Sequence, residues 1–213
     1  MLATQIIAIR HGETSWNVDA RLQGHTDIAL NETGVWQAQQ MAQALANESL
    51  AHIYSSDLQR AWTTAQALAN TNGAALTANT ELRERSFGDY EGQRFVDIEV
   101  SDPASAARWR KRDPQFAPPR GESLLALQSR IEQAVQALAS LHLGSQIAIV
   151  AHGGVLDTLY RLATRQDLQA PRTWELANTS INRLLWTPDS GLTLVGWGDT
   201  SHLQASGLDE VST

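Results

Sequence analysis

Apolar residues fall along this chain in two rhythms. Residues 5–9 (QIIAI) and 146–151 (QIAIVA) are short, almost unbroken apolar runs rich in isoleucine and valine. That is the pattern of strands buried on both faces. Residues 51–55 (AHIYS) predict a third strand, with a short extended piece near 75–77. Residues 181–186 and 192–197 flank the turn Pro188-Asp-Ser-Gly191 and predict an antiparallel hairpin. Elsewhere the spacing is helical. Asn31-Glu-Thr-Gly34 opens a helix with Val35, Ala38, Met41, Ala42 and Leu45 on one face. Residues 57–69 form an alanine-rich helix closed by Asn70-Thr-Asn-Gly73. Residues 122–141 give the clearest helix, with Leu124, Leu127, Ile131, Val135, Leu138 and Leu141 on its apolar face, and a last helix runs from the glycines at 153–154 to about Arg165.

Strands alternating with helices predict an α/β fold: a three-layer sandwich with a mainly parallel central sheet and helices on both faces. From residue 82 to 121 both rhythms are lost among Gly88, Gly92, Gly121, Pro103, Pro114, Pro118 and Pro119. This stretch predicts a mostly helical insertion or lid at about 86–121, within a single domain over 1–213. In open α/β sheets, ligands bind beyond the carboxyl ends of the strands. Two predicted strands end there in similar triplets, Arg10-His11-Gly12 and His152-Gly153-Gly154.

Composition narrows the ligand. The 213 residues suit one domain with a sizeable core, and the net charge is −7. An acidic chain has no overall field for nucleic acid or an anionic membrane, so an anionic ligand needs a local positive pocket. The absence of cysteine excludes a disulfide scaffold, a thiolate zinc site and a cysteine nucleophile. The N-terminus lacks the basic start and apolar length of a signal peptide, and no apolar run approaches the ~18 residues of a membrane span. A soluble cytoplasmic protein is expected, with a small phosphorylated metabolite as partner and neither nucleic acid nor membrane. The sequence sets no oligomeric state; a dimer is compatible with it.

A lone histidine after a strand is ordinarily structural. Two His-Gly pairs at two strand ends, which a parallel sheet can set side by side, ask for another reason. Metal ligation is one option, but the nearby carboxylates lack metal-site spacing such as HExxH. Phosphoryl chemistry is the other. Neutral imidazole is a nucleophile at phosphorus, and cationic donors stabilise the charge on the transferring group. Arg10 supplies a planar fork of donors, Gly12 would let the backbone approach an oxyanion, and Arg60 (SSDLQRAWTTA) and Glu84 (LRERSFGDYEG) add a further cation and an acid.

Arg10-His11-Gly12-Glu13-Thr14, Asn17, SSDLQRAWTTA, LRERSFGDYEG, GES at 121–123, VAHGG at 150–154 and LANTSINRL at 176–184 occur in this order. The ordered set resembles the histidine phosphatase, or phosphoglycerate mutase-like, superfamily over most of the chain. The resemblance implies a phosphohistidine on His11. Arg10, Arg60 and His152 would hold the phosphoryl oxygens, with His152 cationic beside the phosphate, and Asn17 would add a neutral donor. Glu84 would protonate the leaving oxygen and then activate water, its pKa raised beside a dianion. Gln23, Gly24, Gly153 and Thr179 would line the phosphate site. No metal is required, and no cofactor unless the chain is a mutase using 2,3-bisphosphoglycerate. Glu13 and Thr14 are read as turn formers, Trp16 as a packing anchor, and histidines 25, 52, 142 and 202 as structural or surface residues.

The two branches of the superfamily share this chemistry, so the insertion must separate them. Phe87 stands where mutases carry tyrosine, GDYEG resembles the phosphatase branch, and only a few residues separate Pro114 from Gly121. A short insertion leaves a site open to water, and water is the acceptor in hydrolysis. The prediction is a metal-independent phosphatase acting on a small phosphomonoester. The alternatives are a cofactor-dependent phosphoglycerate mutase and a silent phospho-ligand-binding module. The basic run Arg108-Trp-Arg-Lys-Arg112 is either a solvated helix face or a lid whose cations meet a second acidic group of the substrate, and Arg120 could act likewise.

Overall fold

The computed structural model describes residues 2–204. Its strands are β1 (Thr4–Arg10), β2 (Leu50–Ser55), β3 (Leu76–Ala78), β4 (Gln146–Ala151), β5 (Ile181–Thr187) and β6 (Gly191–Asp199). They form one sheet in the order β3-β2-β4-β1-β5-β6. The first four are mutually parallel; β5 runs antiparallel to β1 and forms the hairpin with β6. The helices are α1 (Ser15–Val18), α2 (Glu32–Ala44), α3 (Gln59–Asn72), α4 (Phe95–Ser101), α5 (Pro103–Arg110), α6 (Leu124–Ser140) and α7 (Gly153–Thr164).

The continuous apolar runs follow from helices covering both faces. Ile6, Ala8, Ile147 and Ile149 point to one side, against Leu127, Ile131 and Val135 of α6 and Val155, Leu156 and Leu159 of α7. Ile7, Ile9, Ala148 and Val150 alternate to the other side, against Met41 and Ala42 of α2 and Ala61, Ala65 and Leu68 of α3. Period-2 alternation thus feeds two cores, and polar residues are excluded from both sides of the central strands.

Caps set the helix limits. The Asn31 side chain accepts from Gly34 N and starts α2. Ser123 accepts from Ala126 N and starts α6. Gly73, at φ +85°, ends α3 in the left-handed conformation. Three expectations shift. α3 starts at Gln59, because Asp57 is held outside it by Arg83. Val35 and Leu141 do not join the apolar faces: Val35 is 41% exposed in the first turn of α2, and Leu141 is 72% exposed as the C-cap of α6. The short α1 was not anticipated; a Thr14–Asn17 capping box makes it.

The insertion is closed at its neck, where Asp89 N donates to Pro119 O at 3.0 Å and Glu122 N to Ser86 O at 2.8 Å. It packs a small core of its own from Tyr90, Ile98, Ala106 and Phe116, with Phe87 and Trp109 against it. Trp174 and Trp186 are buried, and Trp197 is partly buried against the first core. Of the polar tail from residue 201, only Ser201–Leu203 forms a described turn; 205–213 lie outside the described residues. No helix among the described residues is long and apolar enough to cross a membrane.

Candidate active site

Parallel pairing of β1 with β4 puts Arg10 level with Ala151. The residues just beyond the two strands therefore meet. His11 continues the ladder, donating its backbone N–H to Ala151 O at 3.0 Å. Its ring lies 5.2 Å, centroid to centroid, from that of His152, which caps α7 without using its side chain. His11 Nδ1 is 2.7 Å from Gly12 O. A carbonyl only accepts, so Nδ1 carries the proton and the Nε2 lone pair is left free. Burial holds His11 well below the usual imidazole range, and Arg10 and Arg60 push the same way. Burial and the Nδ1–Gly12 contact thus favour the uncharged ring with its proton on Nδ1.

The cations are as strongly constrained. Arg60 projects from the first turn of α3 and is fully buried. Its terminal nitrogens donate to Gly24 O at 2.7 Å and Thr26 O at 3.0 Å. Arg10 donates to Leu176 O. Glu84 accepts from Arg85 N at 2.8 Å and from Gly154 N at 3.0 Å, at the N-terminus of α7. A Cβ on Gly154 would come within 2.3 Å of Glu84 Oε1, so any side chain there would displace this carboxylate. Arg10 Nε, Arg60 Nε, both ring nitrogens of His152 and Gln23 Oε1 are buried without a protein partner. Buried donors left unpaired are costly, and most of those gathered here are donors suited to an oxyanion.

Arg10, His11, Asn17, Gln23, Gly24, Arg60 and Glu84 line one cavity of about 140 Å³. Asn17 Oδ1 is occupied by the Thr14 cap, which leaves its amide nitrogen as the free donor. Gly153 lines an adjoining cavity of about 360 Å³ rather than this one. Its Cβ would meet only ordinary contacts, so no steric need fixes a glycine there. Gly24 contributes through its carbonyl to Arg60. Thr179 is displaced from the expected role: its N–H is taken by Arg10 O at 3.0 Å and its hydroxyl faces His202 Nε2 at 3.4 Å. Gly12 also serves differently, since a Cβ there would strike Gly34 O of α2 at 2.4 Å; the close approach is to protein. Without phosphate, the proton affinity of His152 shifts downward. Burial, Arg60 and His11 hold it well below the usual range, so the protein's own groups keep it neutral and only an added anion would charge it. Among the described residues no three His, Cys, Asp or Glu side chains are grouped to hold a metal.

Several residues escaped the sequence reading. Asn178 Nδ2 donates to His11 O at 2.8 Å and fixes the loop from the far side; its place in LANTSINRL was the available signal. His25, expected as a structural or surface residue, is exposed and sets its Nε2 2.9 Å from the backbone Glu84 O. Arg85 is nearly buried in the adjoining cavity, its guanidinium on Glu122 O and Phe116 O and over the Trp109 ring at 5.1 Å. Burial pushes its pKa down to about 10. The basic run meets its surroundings by pairing: Arg108 with Asp113, Arg110 with Glu99 and Arg112 with Asp157. Arg120 pairs with Asp89 at the surface and does not reach the site.

Comparison with known proteins agrees with this geometry. A phosphoglycerate mutase-like protein of Arabidopsis thaliana is 38% identical over 207 residues, covering 96% of this chain and 89% of its own. A mycobacterial glucosyl-3-phosphoglycerate phosphatase superposes with a TM-score of 0.83 at 30% identity, covering 93% of this chain and all of its own. A phosphoserine phosphatase of Entamoeba histolytica, solved with phosphoserine, gives 0.84 at 28% identity over 94% and 99% of the two chains. The profile of the histidine phosphatase superfamily (branch 1) matches residues 6–200, and the chain belongs to that superfamily.

Proposed function

We propose that this protein is a metal-independent phosphatase that hydrolyses a small phosphomonoester through a phosphohistidine on His11. The observation that carries the reading is the fixed tautomer of His11, a neutral ring with free Nε2 among Arg10, Arg60 and the unpartnered nitrogens of His152. Nε2 attacks phosphorus in line. As the P–O bond breaks, the Glu84 carboxyl gives its proton to the departing oxygen. Glu84 carboxylate then takes a proton from water, the water oxygen bonds to phosphorus, the N–P bond breaks, and inorganic phosphate leaves. Arg10, Arg60, Asn17 and His152 stabilise the charge on the equatorial oxygens. The dianion raises the proton affinity of His152 and turns it into a cationic donor.

The adjoining cavity would take the leaving group. Arg85 and Arg172 stand on its walls without a carboxylate partner among the described residues, beside Phe87, Trp109 and Leu124. The wall also carries Asp157, which Arg112 and Arg161 pair, so Arg85 and Arg172 leave a net positive charge that favours a leaving group with a second negative charge, such as a phosphorylated hydroxy or amino acid. Relatives named for mutases keep phosphoglycerate interconversion as the second reading, in which 2,3-bisphosphoglycerate would be the cofactor. Phe87 and the short insertion favour water as acceptor. The test is incubation in EDTA with phosphoserine, 3-phosphoglycerate and p-nitrophenyl phosphate, following free phosphate and 2-phosphoglycerate together. Phosphate release lost in His11→Ala supports the phosphatase. Interconversion stimulated by 2,3-bisphosphoglycerate with little release supports the mutase, and binding without turnover the silent module.

A further inference from the structure

Glu91 lies outside the phosphate cavity, yet its carboxylate joins the two loops that build it. Oε1 accepts from His25 N at 2.9 Å and Phe87 N at 3.1 Å. Oε2 accepts from Thr26 N at 2.9 Å and Thr26 Oγ1 at 2.6 Å. No arginine or lysine among the described residues pairs with it. All its partners are neutral donors, three of them backbone. The loop it grips is the one whose carbonyls, Gly24 O and Thr26 O, accept from Arg60. Gly24 has φ +54°, and a Cβ there would lie 2.1 Å from Glu91 Oε1, so the backbone is shaped around the carboxylate.

We propose that Glu91 is a positioning residue for phosphate binding, which fixes the loop at 24–26 so that its carbonyls aim the Arg60 guanidinium into the cavity. Two carbonyls define the plane of a planar fork, and bidentate recognition of phosphate depends on that plane. Shifts of about an ångström in such supports cost large factors in binding or rate. A carboxylate is suited because both oxygens only accept. Glutamine would turn an amide N–H₂ against at least one of these donors.

This inference rests on the phosphate site proposed above and is tested without turnover, by calorimetric titration of inorganic phosphate. Glu91→Gln weakens binding by about tenfold, the loss of one charge-assisted set of bonds. Arg60→Ala weakens it further. The double variant binds within about twofold of Arg60→Ala, because Glu91 acts through Arg60. Wild-type affinity in Glu91→Gln, or losses that multiply in the double variant, overturns the proposal. Unchanged phosphate affinity in Arg60→Ala would instead sink the site reading on which it rests. If Glu91→Gln or Arg60→Ala does not fold, Thr26→Val and Arg60→Lys carry the same cycle: Thr26→Val removes only the hydroxyl bond and gives a smaller loss, absent in the Arg60→Lys background.

Discussion

The cations of the insertion and the cations of the strand ends answer opposite demands. Along 108–112 they are dense in sequence, and Arg108, Arg110 and Arg112 each pair with a carboxylate. At the site they are scattered over Arg10, Arg60, Arg85 and Arg172, and none pairs among the described residues. Ten of the sixteen lysines and arginines of this acidic chain have a carboxylate partner among the described residues. Four of the other six line the two adjoining cavities. Local density of charge therefore points away from function here. What marks Arg10, Arg60 and Arg85 is that their hydrogen bonds go to carbonyls, so each retains an unneutralised charge for a ligand, while Arg172 is exposed at the edge of the second cavity.

The comparison breaks most directly at Arg60. Arg60→Ala is expected to lower kcat/KM by about two to three orders of magnitude, as loss of a donor to the transition state does, measured on p-nitrophenyl phosphate. A loss below tenfold would put Arg60 with the structural arginines. Arg85→Ala comes next and should be selective. It lowers kcat/KM by about tenfold or more on phosphoserine or 3-phosphoglycerate, where a charge-assisted contact is lost, and leaves p-nitrophenyl phosphate within a few-fold. Equal loss on both kinds of substrate would deny the second cavity a role in recognition. Arg112 is the exception within the run, because it ties the turn after α5 to Asp157 of α7 at 2.8 Å and to Leu168 O beyond α7 at 2.6 Å. Arg112→Ala should cost ~1–2 kcal/mol in denaturant titration, since buried Leu168 O loses its donor and buried Asp157 keeps only Arg161. Arg110→Ala should stay within ~0.5 kcal/mol and leave activity unchanged, as an exposed pair does.

Acid supplies a further contrast. His11 and His152 have proton affinities lowered in the folded state. The unfolded chain therefore binds more protons as pH falls below about 6.5, the ordinary imidazole value, and stability drops from there downward. Saturating inorganic phosphate favours charged His152 and should flatten the fall of Tm between about pH 7 and pH 5.5 by this linkage. Parallel Tm curves with and without phosphate would show that the site histidines do not contribute.

The sheet, its order of use and the reactive groups at its carboxyl edge were legible because they depend on local rhythm. QIIAI and QIAIVA fit doubly covered strands, and parallel neighbours bring His11 and His152 together. Pairing was not legible. Arg108 and Arg85 look alike in sequence, and only the fold gives Asp113 to one and carbonyls to the other. Thr179 shows the same limit: its motif was recognised, but its N–H is consumed by Arg10 O across a turn with φ +54°. Gly12 suggests room for a ligand, while the atoms that need its missing Cβ belong to Gly34; Gly24 lines the cavity as expected, with its own missing Cβ needed by Glu91.

The central claim is a covalent phosphohistidine on His11 that water discharges. Rapid quenching with a ³²P-labelled phosphomonoester, followed by peptide mapping, tests it most directly. The account predicts an acid-labile, alkali-stable label on the peptide containing His11, absent in His11→Ala and released as inorganic phosphate on chase. Turnover retained in His11→Ala, or label found on His152 instead, would contradict it.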